Sequence, residues 1–576
     1  IFIPTKDSIR NNYLMKIMVK QEFPFLLFGK TGTAKTQVIK KLILEELDQT
    51  KYIPLITVLS ANTKREQLQD VLESKLEKQK RAKGIYGPLM GTKNIIFIDD
   101  LNMPNKEKYS AQPPLELIRQ AIDEQGWYDR KALEFKTIVD IQFLAAMGLG
   151  RPNIPNRLNR HFTTVQLFEY DEETIKYVFK TILDHGFATM PEKVKTFTGR
   201  IVNICVQTYK SVCKSFKPLP GKSHYLFNLR DLSKVIQGVL SVSEAELTDN
   251  HVNLVSKFAK LITYESKRVF SDRFVDTKDK QDFVYILKPI IAEYFQEPFD
   301  KLVPSEEFFV FGNFMDQSGA QRLYKEINSL EAYKNIVKLY IDEYNEINKR
   351  KINILLFEEC LDNLAKLNRI LSREYGHALQ IGLGGDGRRT LTRLATWMQG
   401  YDLQEMEIQK DIPLQDWQDF LREVFRRSGI KNNKCTILVT DSQLSKDIFY
   451  EDINNLLNIG EVPNLFKADD KEAIISDLKT AYAKAGKRNL SNLQAWEVFL
   501  TNCKSNLHLV LCASPIGDNL RLRLRNFPSL VNCSSILWYL PWTNDSLKII
   551  GMDALAAHEE GKDLILGKES DLIDIF

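Results

Sequence analysis

The chain has 576 residues, of which 44% are hydrophobic and 27% charged, so it can bury a sizeable core and divide into roughly four compact units. Its 79 basic and 75 acidic residues leave a net charge of +4, which argues against nucleic acid or a membrane surface as a partner. No apolar run reaches the roughly 18 residues that a membrane span needs, and no basic-then-apolar signal peptide opens the chain.

The first elements predict an α/β unit. The apolar run Phe25–Phe28 predicts a buried strand, and a helix is expected over about 36–47. Four further apolar runs are separated by polar helical segments: Ile56–Leu59, Ile95–Ile98, Ile141–Ala146 and Val165–Phe168. Short apolar strands that alternate with helices are typical of a covered parallel sheet. We therefore expect a large α/β domain over residues 1–168.

From about Glu169 the pattern favours helices only, which predicts a helical lid and connecting helices over residues 169–345. Strand–helix alternation then restarts, with predicted strands at Ala378–Ile381, Ile437–Val439, Leu507–Leu511 and Ile536–Tyr539. This predicts a second large α/β domain over 346–541 and the start of a second helical lid over 542–576. The expected fold is α/β, with two consecutive modules that each join a parallel-sheet P-loop domain to a helical lid, the second lid being truncated.

A phosphate-binding loop is predicted between the first strand and its helix, in the string Gly29–Thr36 (GKTGTAKT). Lys35 would neutralise phosphate charge and the Thr36 hydroxyl would ligate Mg²⁺. Ala34 replaces the usual second glycine, and we expect it to adopt the right-handed helical conformation. The loop residues that would cradle phosphates are Gly29, Thr31, Gly32, Thr33 and Ala34. A chance turn before a helix is disfavoured by the strand–loop–helix context.

The run Ile95–Ile98 ends in two acids, Asp99 and Asp100. Ligands of parallel sheets bind at the carboxyl ends of the strands, so both carboxylates are expected beside the loop. Asp99 would hold Mg²⁺ through water. Asp100 stands where ATPases with a phosphate-binding loop of this kind usually place the glutamate that orients the attacking water. Because aspartate is one methylene shorter, hydrolysis is expected to be possible but slow.

The second half repeats this pairing in weaker form, with Arg388 at the lysine position and Arg389 at the hydroxyl position. Arg388 would still neutralise phosphate, but Mg²⁺ would lose its hydroxyl ligand unless Thr390 supplies one. Asp386 adds unfavourable negative charge. The predicted nucleotide-binding residues of this loop are Gly382, Gly384, Gly385, Asp386, Gly387, Arg388, Arg389 and Thr390. The alternative is a loop that binds nothing.

The acidic strand end that matches the second loop is Asp441-Ser442. Asp441 is predicted to serve Mg²⁺, whereas Ser442 replaces the catalytic carboxylate and has no activating base of its own. Nucleotide binding with little or no hydrolysis is therefore expected. Glu451 is the nearest acid expected on a helix close to this site, and it would be the group to restore activity.

Several long strings resemble one family. Five of them closely resemble the third AAA+ module of axonemal dynein heavy chains: Asp99–Pro104, Tyr109–Gln120, Gly126–Arg130, Phe227–Ser233 and Arg268–Arg273. Five others resemble the fourth module: Gly376–Leu379, Leu391–Ala395, Glu451–Asn458, Gly460–Phe466 and Phe527–Cys533. The resemblance covers nearly the whole chain. The chain also starts without Met, and we expect it to be a piece of a longer protein.

The resemblance implies roles for individual residues. The loop containing Pro4 and Thr5 would pack near adenine, and Arg230 would be the sensor arginine of the lid that reaches the γ-phosphate. Arg525 or Arg523 would be the arginine finger that acts on nucleotide in the first site. Other implied positions are Arg157 and Arg160, facing a preceding module, and Gly148 and Ser514, where AAA+ modules carry a polar sensor residue. Gly148-Leu149-Gly150-Arg151 also looks shorter than the family's glycine-rich stretch.

The resemblance also implies a function, a motor-ring segment that uses ATP/ADP and Mg²⁺ for microtubule-based ciliary motility. The third module would regulate the motor cycle, and microtubule contact would occur only through a stalk outside this chain. Implied partners are neighbouring AAA+ modules and the linker of the same heavy chain, with dynein intermediate and light chains in the full complex. Nucleic acid and membrane are not expected.

The implied location is the cytoskeleton of a cilium or flagellum, the axoneme, with cytoplasm before assembly. The seven cysteines are odd in number and lack metal-site spacing, so reduced thiols are expected. Two alternatives stay open: a purely structural ring segment with permanently bound nucleotide, or a module pair from another giant AAA+ ATPase.

Overall fold

A computed structural model describes residues 3–78, 84–89, 91–149, 154–247, 251–304, 308–315, 322–407, 412–484 and 490–556. Two five-stranded parallel sheets, joined by a helical stretch, form its framework. We name these parts the first α/β unit, the helical unit and the second α/β unit. The predicted fold class is confirmed.

The first α/β unit places its loop-bearing strand inside the sheet. The helices are α1 (Lys6–Lys20), α2 (Lys35–Lys41, continued by a π-helical turn Leu42–Glu46), α3 (Arg65–Glu73), α4 (Pro113–Asp123) and α5 (Asn156–Asn159). The strands are β1 (Phe25–Gly29), β2 (Tyr52–Val58), β3 (Glu77–Lys78), β4 (Ile85–Gly87), β5 (Lys93–Asp99), β6 (Gly126–Tyr128), β7 (Phe135–Ile138), β8 (Ile141–Gly148) and β9 (Thr163–Leu167). The parallel order is β2-β5-β8-β1-β9, and β1, β5 and β8 are largely buried because helices cover both faces.

A second small sheet of the first unit, β3-β4-β7-β6, was missed by the sequence analysis. Its strands are only two to four residues long, so they are too short to show an apolar run. Trp127 anchors this sheet, since its side chain is buried and its indole N–H donates to Glu73 Oε1 at 2.8 Å.

The helical unit contains one short hairpin that the helix-only prediction did not include. Its helices are α6 (Glu172–Gly186), α7 (Glu192–Lys195), α8 (Thr198–Ser215), α9 (Leu229–Leu240), α10 (His251–Val269), α11 (Thr277–Phe295), α12 (Phe299–Leu302) and α13 (Leu330–Ile347), with 3₁₀ turns at Glu244–Leu247 and Ser271–Arg273. The hairpin pairs β10 (Val310–Gly312) with β11 (Lys325–Ile327). Three-residue strands are too short to show a period of two. The boundary predicted at 345/346 falls inside α13.

The second α/β unit repeats the first sheet strand for strand. Its helices are α14 (Glu358–Leu371), α15 (Arg388–Gln399), α16 (Leu414–Gly429), α17 (Asp447–Asn458), α18 (Ala468–Lys484), α19 (Asn492–Asn506), α20 (Asn519–Asn526), α21 (Ser529–Asn532) and α22 (Asn544–Ala556). Its strands are β12 (Ala378–Ile381), β13 (Asp402–Glu405), β14 (Cys435–Thr440), β15 (Leu507–Ala513) and β16 (Ser535–Trp538). In the parallel order β13-β14-β15-β12-β16, the loop-bearing strand β12 is again the second strand from one edge of the sheet. The polar edge strand β13 was not predicted.

The helical unit packs on the second α/β unit through one continuous apolar core. Phe258 of α10, Leu361 of α14 and Leu391 of α15 belong to the same buried cluster. Burial of such side chains contributes about 1.5–3 kcal/mol each. Among the described residues, no helix is long and apolar enough to cross a membrane. All seven cysteines are free thiols.

Candidate functional site

The first loop, residues 29–36, leaves β1 and enters α2 through two residues with positive φ. Gly32 has φ +90°, and Ala34, directly before α2, has φ +57°. The expectation of a right-handed conformation at Ala34 is therefore wrong. The left-handed conformation costs a residue with a Cβ about 1–2 kcal/mol, and the equivalent position in the second loop is Gly387, at φ +70°.

Close backbone approach explains the glycines of the first loop. A Cβ on Gly29 would lie 2.5 Å from Leu167 O, so β1 needs glycine where it meets β9. A Cβ on Gly32 would lie 3.4 Å from Leu229 N, at the start of α9. The loop thus sits directly against the helical unit, and Gly32 is required by its φ of +90° whereas Gly29 is required by the close backbone approach.

The hydroxyl and the carboxylate predicted to hold Mg²⁺ meet in the structure. Thr36 Oγ1 donates to Asp99 Oδ2 at 2.7 Å, although the two residues lie on α2 and at the end of β5. Asp99 Oδ1 accepts from Asp100 N at 3.0 Å, and Asp100 has φ +53°. A hydroxyl and a carboxylate oxygen side by side are hard oxygen ligands of the kind that Mg²⁺ prefers. These residues fit the ion.

Lys35 folds back over the first loop. Its ammonium donates to Gly29 O at 2.9 Å and Lys30 O at 2.7 Å. Burial lowers the pKa of Lys35, whereas the negative charges of Asp100 and Asp99 oppose that shift. The positively charged ammonium of Lys35 is therefore held where the first loop meets the acidic end of β5.

A cavity of about 700 Å³ opens beside these groups, and we call it the first cavity. Its walls come from all three units: Lys35, Asp99 and Asp100; Leu229 and Arg230 of α9; and Asn458, Asn532 and Cys533 of the second α/β unit. Ligand pockets typically measure about 300–1,000 Å³ and form where domains meet. The size and polar lining suit a nucleotide.

The start of α9 is fixed by its own hydrogen bonds, and this places Arg230 at the first cavity. Arg230 N donates to Asn228 Oδ1 at 2.8 Å, and Asn228 N donates to Asp231 Oδ2 at 3.1 Å. The buried Asp231 also pairs with Arg273 at 2.7 Å. Capping of this kind is worth about 1 kcal/mol and sets the entry angle of a helix.

Other predicted residues of the first site lie elsewhere. Thr5 caps α1, accepting from Ser8 N at 3.2 Å, and neither Pro4 nor Thr5 lines the first cavity. Arg523 lies over the Tyr450 ring at 4.5 Å and lines a separate cavity of the second unit. Arg525 is exposed and lines neither cavity.

The structure thus does not bring the predicted arginine finger to the first cavity. Leu524 and Phe527 are buried in the second core, and their burial fixes the rotation of α20. With that rotation, Arg523 faces its own unit. A sequence string identifies such arginines but not the direction in which their helix presents them.

The two arginines of the second loop, residues 382–390, are already engaged by groups of the second α/β unit. Arg388 donates to Ala513 O at 2.5 Å and to Leu383 O at 2.8 Å. Arg389 pairs with Glu405 on β13. Arg393 also pairs with Glu405, at 2.8 Å. Asp386 is buried within the loop, and burial raises the pKa of its carboxyl. The positive charges of Arg388 and Arg389 are therefore less available to a phosphate than the sequence of this loop suggested.

The acidic strand end of the second unit lacks the hydroxyl partner found in the first. Asp441 Oδ2 accepts from Ser514 N at 2.8 Å, and no hydrogen bond joins it to a described residue of the second loop. Ser442 Oγ lies 2.9 Å from Thr440 Oγ1. The pairing of a loop hydroxyl with the strand-end carboxylate, seen in Thr36 and Asp99, is therefore not repeated.

Glu451 is not at the second loop, so the expectation that it could restore activity there is wrong. Its carboxylate accepts hydrogen bonds from Ser60, Thr63 and Gln67 of the first α/β unit. The helix α17 that carries it faces the neighbouring unit, which spacing along the sequence cannot reveal.

The remaining predicted positions lie at two places. Gly148 lines the first cavity, and a Cβ added there would meet no atom within 4 Å. Gly150 and Arg151 lie outside the described residues. Arg157 and Arg160 are exposed on α5 and its end, and they pair with Glu116 and Asp123 of α4 at 3.4 and 3.1 Å.

The sequence analysis missed the wall that the second unit gives the first cavity. Asn532 and Cys533 belong to the string Phe527–Cys533, which was used only as a family signal. Lys40 and Lys504 also line this cavity, and burial lowers the pKa of each ammonium. No motif spacing identifies residues that come together only across two units.

Three family models match the chain. Residues 1–170 match the P-loop containing dynein motor region, residues 178–280 the dynein heavy chain ATPase lid domain, and residues 352–572 the P-loop containing dynein motor region D4. These matches cover both loops and Arg230. They favour a dynein over the alternative of another giant AAA+ ATPase.

Individual relatives agree with these models. Dynein axonemal heavy chain 1 of Homo sapiens is 38% identical over 567 residues, which cover 96% of this chain and 13% of that protein. Dynein axonemal heavy chain 3 of Mus musculus is 35% identical over 566 residues, covering 96% of this chain and 14% of that protein. The chain therefore spans about an eighth of the length of the relatives it matches.

Proposed function

Because this chain belongs to the dynein heavy chain family and spans part of its motor region, we propose that it forms the third and fourth AAA+ modules of an axonemal dynein ring. The first α/β unit and the helical unit are the third module, and the second α/β unit begins the fourth. The third module binds Mg-ATP at the first cavity. The observation that carries this proposal is the pairing of Thr36 with Asp99 at 2.7 Å beside Lys35.

Five residues at the first cavity have a defined part in the proposed phosphoryl transfer. Lys35 neutralises phosphate charge, and the N–H groups at the start of α2 donate to phosphate oxygens. Thr36 and Asp99 would hold Mg²⁺, which would supply charge neutralisation for the phosphates. Asp100 orients the attacking water, and Arg230 stabilises charge from the helical unit. The shorter side chain of Asp100 and the missing side chain at Gly148 favour slow turnover.

The second loop holds nucleotide weakly and hydrolyses little or none. Arg388 is engaged with Ala513 O and Leu383 O, so binding requires its guanidinium to rearrange. Ser442 has neither the charge nor the pKa of a water-orienting base. A purely structural ring segment with permanently bound nucleotide is the second candidate. The replacement of the water-orienting carboxylate by Ser442 favours it for the fourth module, whereas the engagement of Arg388 weighs against permanent binding.

In the full protein, the segment couples nucleotide state to microtubule-based ciliary motility, and its location is the axoneme. The names of the relatives support this location. Its partners are the neighbouring ring modules, the linker, and the intermediate and light chains. The microtubule is contacted through the stalk outside this chain.

A matched pair of substitutions tests the metal site. In Asp99→Asn, Mg-ATP affinity is expected to fall about 10- to 150-fold, because a hydrogen bond or ligand bond to a charged group contributes roughly 1.5–3 kcal/mol. In Asp441→Asn, at the equivalent strand end, the affinity should stay within about twofold. Calorimetric titration with ATP, with Mg²⁺ and with EDTA, measures both. Equal losses in the two variants would contradict the proposal.

A further inference from the structure

The two α/β units are joined directly, and not only through the helical unit. Ser60 Oγ and Thr63 Oγ1 donate to Glu451 Oε1 at 3.1 and 3.0 Å. Gln67 Nε2 lies 3.5 Å from Glu451 Oε2, and Asn62 Nδ2 donates to Asp447 Oδ2 at 3.0 Å. We call this group of contacts the inter-unit latch. Glu451 is 7% exposed, so its carboxylate depends on these donors.

The first-unit side of the latch is anchored at the acidic strand end. The loop that carries Ser60 and Thr63 follows β2, and Leu59 N donates to Asp99 O at 3.1 Å. Val58, the last residue of β2, pairs with Asp99 across the sheet and lines the first cavity. Any movement of this loop is therefore coupled to movement of the carboxyl end of β5, which carries Asp99 and Asp100.

The second-unit side of the latch reaches the same cavity through one helix. Glu451 lies near the start of α17, and Leu456, Leu457 and Asn458 at its end line the first cavity. Seven residues of α-helix span about 10 Å, so α17 acts as a short rigid rod. One of its ends is fixed to the first unit by the latch. The other end forms the cavity wall opposite the first loop.

From this arrangement we propose that Glu451 is a positioning residue for nucleotide at the first cavity. It holds α17, and with it the wall formed by Asn458, at a set distance from Lys35 and Asp99. This inference rests on the proposed function, because it assigns to the latch an effect on nucleotide affinity. Glu451 itself touches neither the first loop nor Asp99, so its effect is on the shape of the cavity.

Removal of the carboxylate tests the latch. In Glu451→Ala, the Kd for Mg-ATP is expected to rise about tenfold, equal to about 1.4 kcal/mol. The matched control Glu472→Ala, an exposed acid on α18, should leave the Kd unchanged. Thr63→Val removes one donor at constant shape and should raise the Kd about threefold. If the two groups act as one latch, the double variant should bind no more weakly than Glu451→Ala.

A cross-link gives a readout that does not depend on ATP. Asn62→Cys with Asp447→Cys should form a disulfide on mild oxidation, detected by mass spectrometry of the joined peptides. The cross-linked chain carrying Glu451→Ala should regain the affinity of the unmutated chain, which a general loss of stability would not allow. An unchanged Kd in Glu451→Ala, or additive effects in the double variant, would overturn the inference. Failure of the unmutated chain to bind ATP would instead overturn the proposed function, while the cross-link still formed.

Discussion

Replacing Lys35 with alanine is expected to lower ATP turnover by the chain about 100- to 1,000-fold, because preorganised charge on the phosphates provides most of phosphoryl-transfer catalysis. The ammonium of Lys35 already lies at the convergence of the first loop and the acidic strand end, within 3 Å of two loop carbonyls. Alanine keeps the helix start of α2 and removes the charge. Steady-state phosphate release at saturating Mg-ATP measures the effect.

The equivalent change in the second loop is the control. Arg388→Ala should leave turnover within about twofold, because Ser442 supplies no base and Asp441 has no loop hydroxyl beside it. Turnover that persists in Lys35→Ala and disappears on further replacement of Arg388 would contradict the ranking of the two sites. The fourth module would then be the working ATPase.

Replacing Glu265 with glutamine is expected to destabilise the chain by about 3–5 kcal/mol, because it leaves the buried Arg369 and the partly buried Arg373 without their counter-charge. Glu265 on α10 is 0% exposed and pairs with Arg369 at 2.5 Å and Arg373 at 3.0 Å, both on or just after α14. Tyr324 Oη also donates to it, at 2.6 Å. The measurement is the urea midpoint of the transition that reports the helical unit.

The pH dependence of this effect has a definite sign. Burial acts to raise the pKa of Glu265, but Arg369 and Arg373 outweigh it and hold the pKa at about 2. A depressed folded-state pKa gives stability that is present above the unfolded value and is lost as pH falls through the folded value. The deficit of Glu265→Gln should therefore be full at pH 7 and shrink between about pH 4.5 and 2.

An exposed pair provides the matched control for Glu265. Glu423→Gln breaks the ion pair with Arg427 on α16, whose side chains are 60% and 40% exposed, and should cost less than about 0.5 kcal/mol. An effect of similar size in both variants would contradict the account.

The buried pair also matters for function, because a Cβ on Gly238 of α9 would collide with Glu265. The helix that presents Arg230 therefore rests on this carboxylate.

Local patterns were sufficient to predict much of the fold and the first site. Apolar runs located the buried strands, since strands covered on both faces need apolar side chains at every position. Loop spacing and the acidic strand end identified Thr36 and Asp99, which the structure brings together. Chemistry fixed by a loop and the acidic end of another strand of the same sheet is encoded within short stretches of sequence.

What the sequence analysis missed depends on contacts between distant parts of the chain. The strands of the small sheet are only two to four residues long, and β13 is a polar edge strand, so neither gives a clear hydrophobic pattern. Glu451 meets Ser60 across 391 positions of sequence, and no spacing rule predicts that contact. The direction of Arg523 is set by the burial of Leu524 on the same helix and of Phe527 directly after it. Such orientations follow from packing.

The central claim is that one site of this chain, and not both, holds a metal–nucleotide complex. The most direct measurement is the number of Mn²⁺ ions, used in place of Mg²⁺, that the chain binds only when ATP is present, determined by electron paramagnetic resonance of the free ion. We predict one ATP-dependent Mn²⁺ per chain, which is lost in Asp99→Asn. Two such ions per chain, or none, would contradict the claim.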